Sequence, residues 1–220
     1  MIASPDVTVP RFVVFEGVDG SGKTTLAQAL ARYYTSINPA VHLYHGSFPG
    51  ADAGTLGEWV YRLHHDKAMD APAVATIAPP ALQLLHVAAH LDAVITRLTP
   101  IFQRGGSVIL DRYWWSTYAY VRRYVPPALA WPLVDAERPY WRDLPSPTII
   151  YLTRQHSLKA REIDQDAHMA IDAAYREIVA VERQAGVLVH ELANDGSLPQ
   201  TWAALLDVLA LQQHPWESVP

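Results

Sequence analysis

The sequence predicts an α/β fold, a five-stranded parallel sheet with helices on both faces, and three observations predict it. Five short runs rich in Val, Ile and Leu stand at 12–15, 41–44, 107–110, 148–152 and 187–192. Longer segments with helical spacing alternate with them, as they do where buried parallel strands are joined by helical crossovers. A glycine-rich loop separates the first apolar run from the first helical segment, at the sheet edge where such folds bind ligands.

In order, Phe12–Phe15 is the first strand, and helical spacing runs over 23–35 once the glycines end. The second strand, 41–44, is followed by helical segments at 55–66 and 81–103, the latter leading into the strand at 107–110. A helix over 114–124 follows, then the strand at 148–152, a helix at 167–184, the last strand at 187–192 and a helix at 199–212 that Ser197 caps and Pro199 opens. Two stretches interrupt the alternation. The segment Pro126–Pro147 holds six prolines with Trp131 and Trp141, and Arg154–Asp166 is charged; both follow strands and are candidate covers for the site, the first reading for most of its length as a rigid packing loop in which both tryptophans are buried or interfacial. No repeat or linker divides the chain, and 220 residues, half of them hydrophobic, suit one domain spanning 1–220 with a lid at about 154–166.

No apolar run approaches the roughly 18 residues of a membrane span, and Met1-Ile2-Ala3-Ser4-Pro5-Asp6 lacks the features of a signal peptide, so a cytoplasmic protein with no membrane partner is expected. The absence of cysteine removes disulfides, thiolate metal sites and cysteine nucleophiles. A formal charge of −5 argues against a protein that coats nucleic acid, although a local basic groove is compatible with it.

The chemistry is carried by Gly17-Val18-Asp19-Gly20-Ser21-Gly22-Lys23-Thr24, which matches G-x-x-x-x-G-K-[ST] between a strand and a helix. Gly17, Gly20 and Gly22 let the backbone wrap phosphate oxygens, so that N–H groups, including those of Ser21 and Thr25, and the helix N-terminus face an anion. ATP is the expected nucleotide. Lys23 then reaches its β- and γ-phosphates, and Thr24 offers a hydroxyl to Mg²⁺. Asp111, at the end of the strand 107–110, is the acidic half of such a site and the second candidate for the metal shell, with Arg112 placed to stabilise charge on the transferring group.

Phe15–Thr25 resembles the opening motif of the thymidylate kinase family, and Asp111-Arg112-Tyr113 with Ser116-Thr117 resembles its second motif. Phe48-Pro49 is similar to its acceptor loop, and Leu84–His90 to the helix that carries a stacking aromatic and an arginine. The resemblance implies a three-layer α/β/α P-loop kinase fold with strand order 2-3-1-4-5 and transfer of the γ-phosphoryl of ATP to a thymidine-like pyrimidine nucleotide. It places Lys23, Asp111 and Arg112 in catalysis and Asp19 on the acceptor's 3′-hydroxyl as well as in the phosphate loop. Because Gly20 and Ser21 stand where some members carry a basic residue, the lid is expected to supply the cation: Arg161 for catalysis, Arg154 and Lys159 for ATP, with a solvated helix face as the alternative for each.

The family's arginine after Phe-Pro corresponds here to Ala51 or Gly50, and its helix arginine to His90; the stacking position holds His86. His86 and His90 lie one helical turn apart and share a face, which is expected to point at the acceptor with Phe48, Pro49, Tyr61, Trp115 and Ser116. His64 and His65 are adjacent, so they cannot both point inward. Loss of the arginines leaves a second acceptor open, 5-hydroxymethyluracil within DNA, as in a viral branch of the family in a host cytoplasm, where no terminal phosphate needs binding. Asp19 and the net charge favour the free nucleotide. Asn194–Ser197 reads either as the edge of an adenine pocket or as a helix cap, and family dimers through the helix matching 81–103 imply that a homodimer is compatible with this chain.

Overall fold

The computed structural model describes residues 9–65, 77–154, 165–211 and 215–216. Five parallel strands, β1 (Phe12–Glu16), β2 (Leu43–Ser47), β3 (Ser107–Asp111), β4 (Thr148–Thr153) and β5 (Leu188–Ala193), form one sheet in the order 2-3-1-4-5. This is the fold that the sequence implied. The central strand β1 lies between β3 and β4 and is buried along its whole length, which is why Phe-Val-Val-Phe runs without a polar break.

Successive side chains of a strand point to opposite faces, and β1 divides its residues accordingly. Phe12 and Val14 join Val108 and Leu110 in one core with Trp114, Trp115, Tyr118 and Trp141. Val13 and Phe15 join Ile109, Ile150 and Leu152 in the other, covered by α1 (Lys23–Ile37) and the C-terminal helix α9 (Leu198–Val208).

The remaining helices are α2 (Leu56–His65), α3 (Pro79–Ala93), α4 (Thr99–Gln103), α5 (Trp114–Val121), α6 (Pro127–Asp135), α7 (Arg138–Arg142) and α8 (Gln165–Gln184). Two helical regions and one strand differ from the sequence reading. The expected helix 81–103 is interrupted by a π-turn over Val94–Leu98, after which the Thr99 hydroxyl donates to Val94 O at 2.9 Å and Pro100 contributes no N–H. Pro126–Pro147 is two short helices rather than a packing loop, because Pro127 and Pro139 stand in first turns, where a missing N–H costs nothing. Strand β2 begins two residues late, since the Val41 N–H closes a turn onto Asn38 O. The Ser197 cap is present, as a capping box with Gln200.

Candidate functional site

The C-terminal ends of β1 and β3 place the phosphate loop beside Asp111. Two glycines fix the loop's path. A Cβ on Gly17 (φ 139°) would stand 2.3 Å from Leu152 O, and one on Gly22 (φ 100°) would stand 2.3 Å from Asn194 Nδ2. Either side chain would force the loop off the sheet.

Lys23 opens α1, is only 5% exposed, and donates from Nζ to Gly17 O and Val18 O at 2.8 Å each. Burial, reinforced by Arg112, pulls its pKa down to about 8 against the opposing carboxylates of Asp111, Asp19 and Glu16. The Thr24 hydroxyl donates to Asp111 Oδ2 at 2.5 Å, and Ser47, at the end of β2, donates to the same oxygen at 3.2 Å. Asp111 Oδ1 is buried with no partner among the described residues. That orphaned oxygen beside a threonine hydroxyl suits a hard divalent cation, and the described residues hold no group of three metal-ligating side chains, so phosphate and water oxygens would have to complete the shell. The Ser21 hydroxyl, within the loop, is likewise buried and unpartnered among the described residues.

Arg112 has left-handed backbone (φ 83°), held by its N–H donating to Phe15 O at 2.9 Å. Its guanidinium pairs with Asp19 Oδ1, and Tyr120 donates to Asp19 Oδ2 at 2.7 Å while its ring lies 5.6 Å from the same guanidinium. Burial raises the Asp19 pKa, but Arg112 and the Tyr120 hydrogen bond outweigh it and bring the carboxyl down to about 2.

An open cavity of about 810 Å³ adjoins this pair. Asp19, Arg112, Ser116 and Tyr120 line it together with Phe48, Pro49 and Tyr61, and Gln83, His86 and His90 line it from α3. The structure thus brings the expected acceptor residues to one cavity, with one exception. Trp115 is fully buried in the core and absent from the cavity wall. Six of the eight residues of α5 are buried, so its tryptophans fill the space between the sheet and α6. Arg154 stands just beyond β4; Lys159 and Arg161 lie outside the described residues, as do the side chains of His64 and His65.

Several contributors escaped the sequence reading. Glu16 is fully buried and accepts from Tyr113 N–H (2.7 Å), Ser116 N–H (3.0 Å), the Ser116 hydroxyl (2.8 Å) and the Tyr175 hydroxyl (3.0 Å). It caps α5 from the neighbouring strand and so holds the turn that carries Arg112. Burial raises its pKa, opposed by Arg112, Ser116, Lys23 and Tyr175. Asn194 was read as the edge of an adenine pocket or part of a helix cap, but its bracing role was not: it is buried, donates to Ser21 O at 2.7 Å and accepts from the Thr201 hydroxyl at 2.7 Å, which ties the phosphate loop to β5 and α9. Tyr120 had a signal, since it lies four residues after Ser116 on one helical face; the partners of Glu16, and Ser21 as the partner of Asn194, lie about a hundred residues or more away and gave none.

A family model described as "Thymidylate kinase" matches residues 15–166. The thymidylate kinases of Carboxydothermus hydrogenoformans and Nostoc sp. are 36% and 38% identical over 110 residues, 50% of this chain in both cases and 49% and 48% of theirs. The match therefore spans about half the length of those relatives. The thymidylate kinase of Thermosynechococcus vestitus is 26% identical over 226 residues, covering 93% of this chain and 89% of that one. Among solved structures, thymidylate kinase from Ehrlichia chaffeensis has the same fold, with a TM-score of 0.71 at 20% identity over 92% of this chain and 100% of that chain.

Proposed function

Because the chain belongs to the thymidylate kinase family, we propose that it is an ATP-dependent phosphotransferase that acts as one kinase domain on a thymidine-like pyrimidine deoxynucleotide, with dTMP as the expected acceptor. The observation that carries this reading is the phosphate loop ending in Lys23, set against the Thr24–Asp111 pair and opening on a cavity lined by Asp19 and Arg112.

Lys23 would exchange its two carbonyl partners for the β- and γ-phosphates, and the N-terminus of α1 would add its backbone N–H groups. Thr24 and Asp111 would hold Mg²⁺, which when bound neutralises charge between the phosphates. A phosphate oxygen of the acceptor attacks the γ-phosphorus, the bond to the β-phosphate oxygen breaks, and ADP leaves. Arg112 stabilises the charge that spreads over the transferring group, and Asp19 accepts from the acceptor's 3′-hydroxyl. Arg154, with Lys159 and Arg161 of the expected lid, would complete the cation set over ATP. Phosphorylation of 5-hydroxymethyluracil in DNA is not supported by the relatives named above, whose names carry only thymidylate kinase. A homodimer through α3 is part of the proposal, and exposed Leu84, Leu85 and Ile95 support it.

The test supplies γ-labelled ATP and offers dTMP, dUMP and hydroxymethyluracil-containing DNA separately. Label is expected in the diphosphate product of dTMP. Label in the polymer alone would eliminate the nucleotide reading.

A further inference from the structure

Glu137, at the start of α7, is a wholly buried carboxylate beneath the acceptor cavity. Its Oε2 takes the Trp141 indole N–H at 2.9 Å and faces Nδ1 of His90 at 2.8 Å. Its Oε1 has no partner among the described residues. A buried carboxylate persists only where donors face it, so the His90 ring carries a proton on Nδ1. A ring that carries this one proton keeps a lone pair on Nε2, the polar atom it can offer to the cavity it lines. His90 is itself only 3% exposed and is backed by Phe48, with ring centroids 4.9 Å apart, and by Trp141 at 6.5 Å. Gln83 lies two turns before it on the same face of α3 and lines the same cavity. This end of the cavity therefore offers aromatic walls, one ring-nitrogen acceptor and one carboxamide.

We propose that Nε2 of His90, aimed by Glu137 as a positioning residue, accepts the ring N–H of the acceptor's base, which restricts the substrates to bases whose edge carries an N–H between two carbonyls, as in uracil and thymine. The Gln83 carboxamide donates to one of the flanking carbonyls. This inference rests on the pyrimidine-nucleotide reading above and adds the atom by which the base is recognised.

The experiment measures KM for dTMP and for N3-methyl-dTMP with wild type and His90→Phe. Wild type is expected to show a KM about 10-fold higher for the methylated nucleotide, as the loss of a buried hydrogen bond implies. In His90→Phe the two values should converge to within about twofold, with KM for ATP unchanged, because a genuine pairing disappears when either partner is removed. A ratio that persists in the variant overturns the proposal. Imidazole ¹⁵N spectra of wild type provide an arm that needs no variant: His90 should be protonated at Nδ1 and bare at Nε2, with Nε2 shifting upfield on addition of dTMP. A proton resident on Nε2 in the free protein refutes the assignment. In Glu137→Leu the proton should redistribute to Nε2; its retention on Nδ1 denies Glu137 its part. A wild type that phosphorylates no nucleotide defeats the proposed function and this inference together, whereas equal KM values for the two nucleotides defeat this inference alone.

Discussion

Lys23 pulls stability and chemistry in opposite directions. With its pKa lowered from 10.5 to about 8, the folded nucleotide-free protein binds fewer protons than the unfolded chain between those values, so stability rises with pH across that window. Melting temperatures of the nucleotide-free protein should therefore carry a component that increases from about pH 8 towards 10.5 and is missing in Lys23→Met; identical slopes in the two proteins would contradict the burial argument. Lys23→Ala should lower kcat more than about 100-fold, since the β,γ-phosphate contact is lost, and near-normal turnover would remove the phosphate loop from the mechanism. Asp19 has the complementary sign. Its carboxyl is held at about 2 against 3.8, so its contribution is present above the higher value and lost as pH falls through the lower one. Acid unfolding of Asp19→Asn should lack that component, and an unchanged acid limb would show that the Arg112 pairing adds nothing in solution.

At the scale of elements, strand identities and their alternation with helices were legible because they rest on local periodicity. The proline-rich segment was not, because prolines in first turns start helices as readily as they mark loops. Nor was the π-turn, whose effect is to carry Arg97 to the acceptor loop: its guanidinium pairs with Asp52 at 2.5 Å and donates to Pro49 O. Gly50 approaches so closely that a Cβ there would stand 3.0 Å from Arg97 Nη1. Arg97→Ala should release the loop and raise KM for dTMP about 10-fold while KM for ATP is unchanged, consistent with hydrogen bonds that involve a charged group. Steady-state kinetics with each substrate varied in turn distinguishes this from general destabilisation, which would move both. The phosphate loop was legible as a motif; Glu16 and Asn194, which brace it and the Arg112 turn, join segments so far apart in the chain that only the folded sheet brings them together.

For the whole molecule, the sheet places two cores back to back and gathers the loop ends of β1, β2 and β3 at one edge. No described helix is long and apolar enough to cross a membrane. The outward faces of α3 and the π-turn leave Leu84, Leu85 and Ile95 exposed, and if they form a subunit contact, Leu84→Glu combined with Ile95→Glu should halve the sedimenting mass with the fold intact by circular dichroism. A wild type already monomeric at micromolar concentration would refute the dimer. The backbone of Arg112 has a wider consequence. A non-glycine residue in left-handed geometry costs about 1–2 kcal/mol, so Arg112→Gly should relieve strain while deleting both the ion pair with Asp19 and the cation over the transferring phosphoryl. Backbone relief and the lost ion pair offset each other, so a library screened only for survival of heating would not hold arginine at that position, and selection for turnover alone would keep it there.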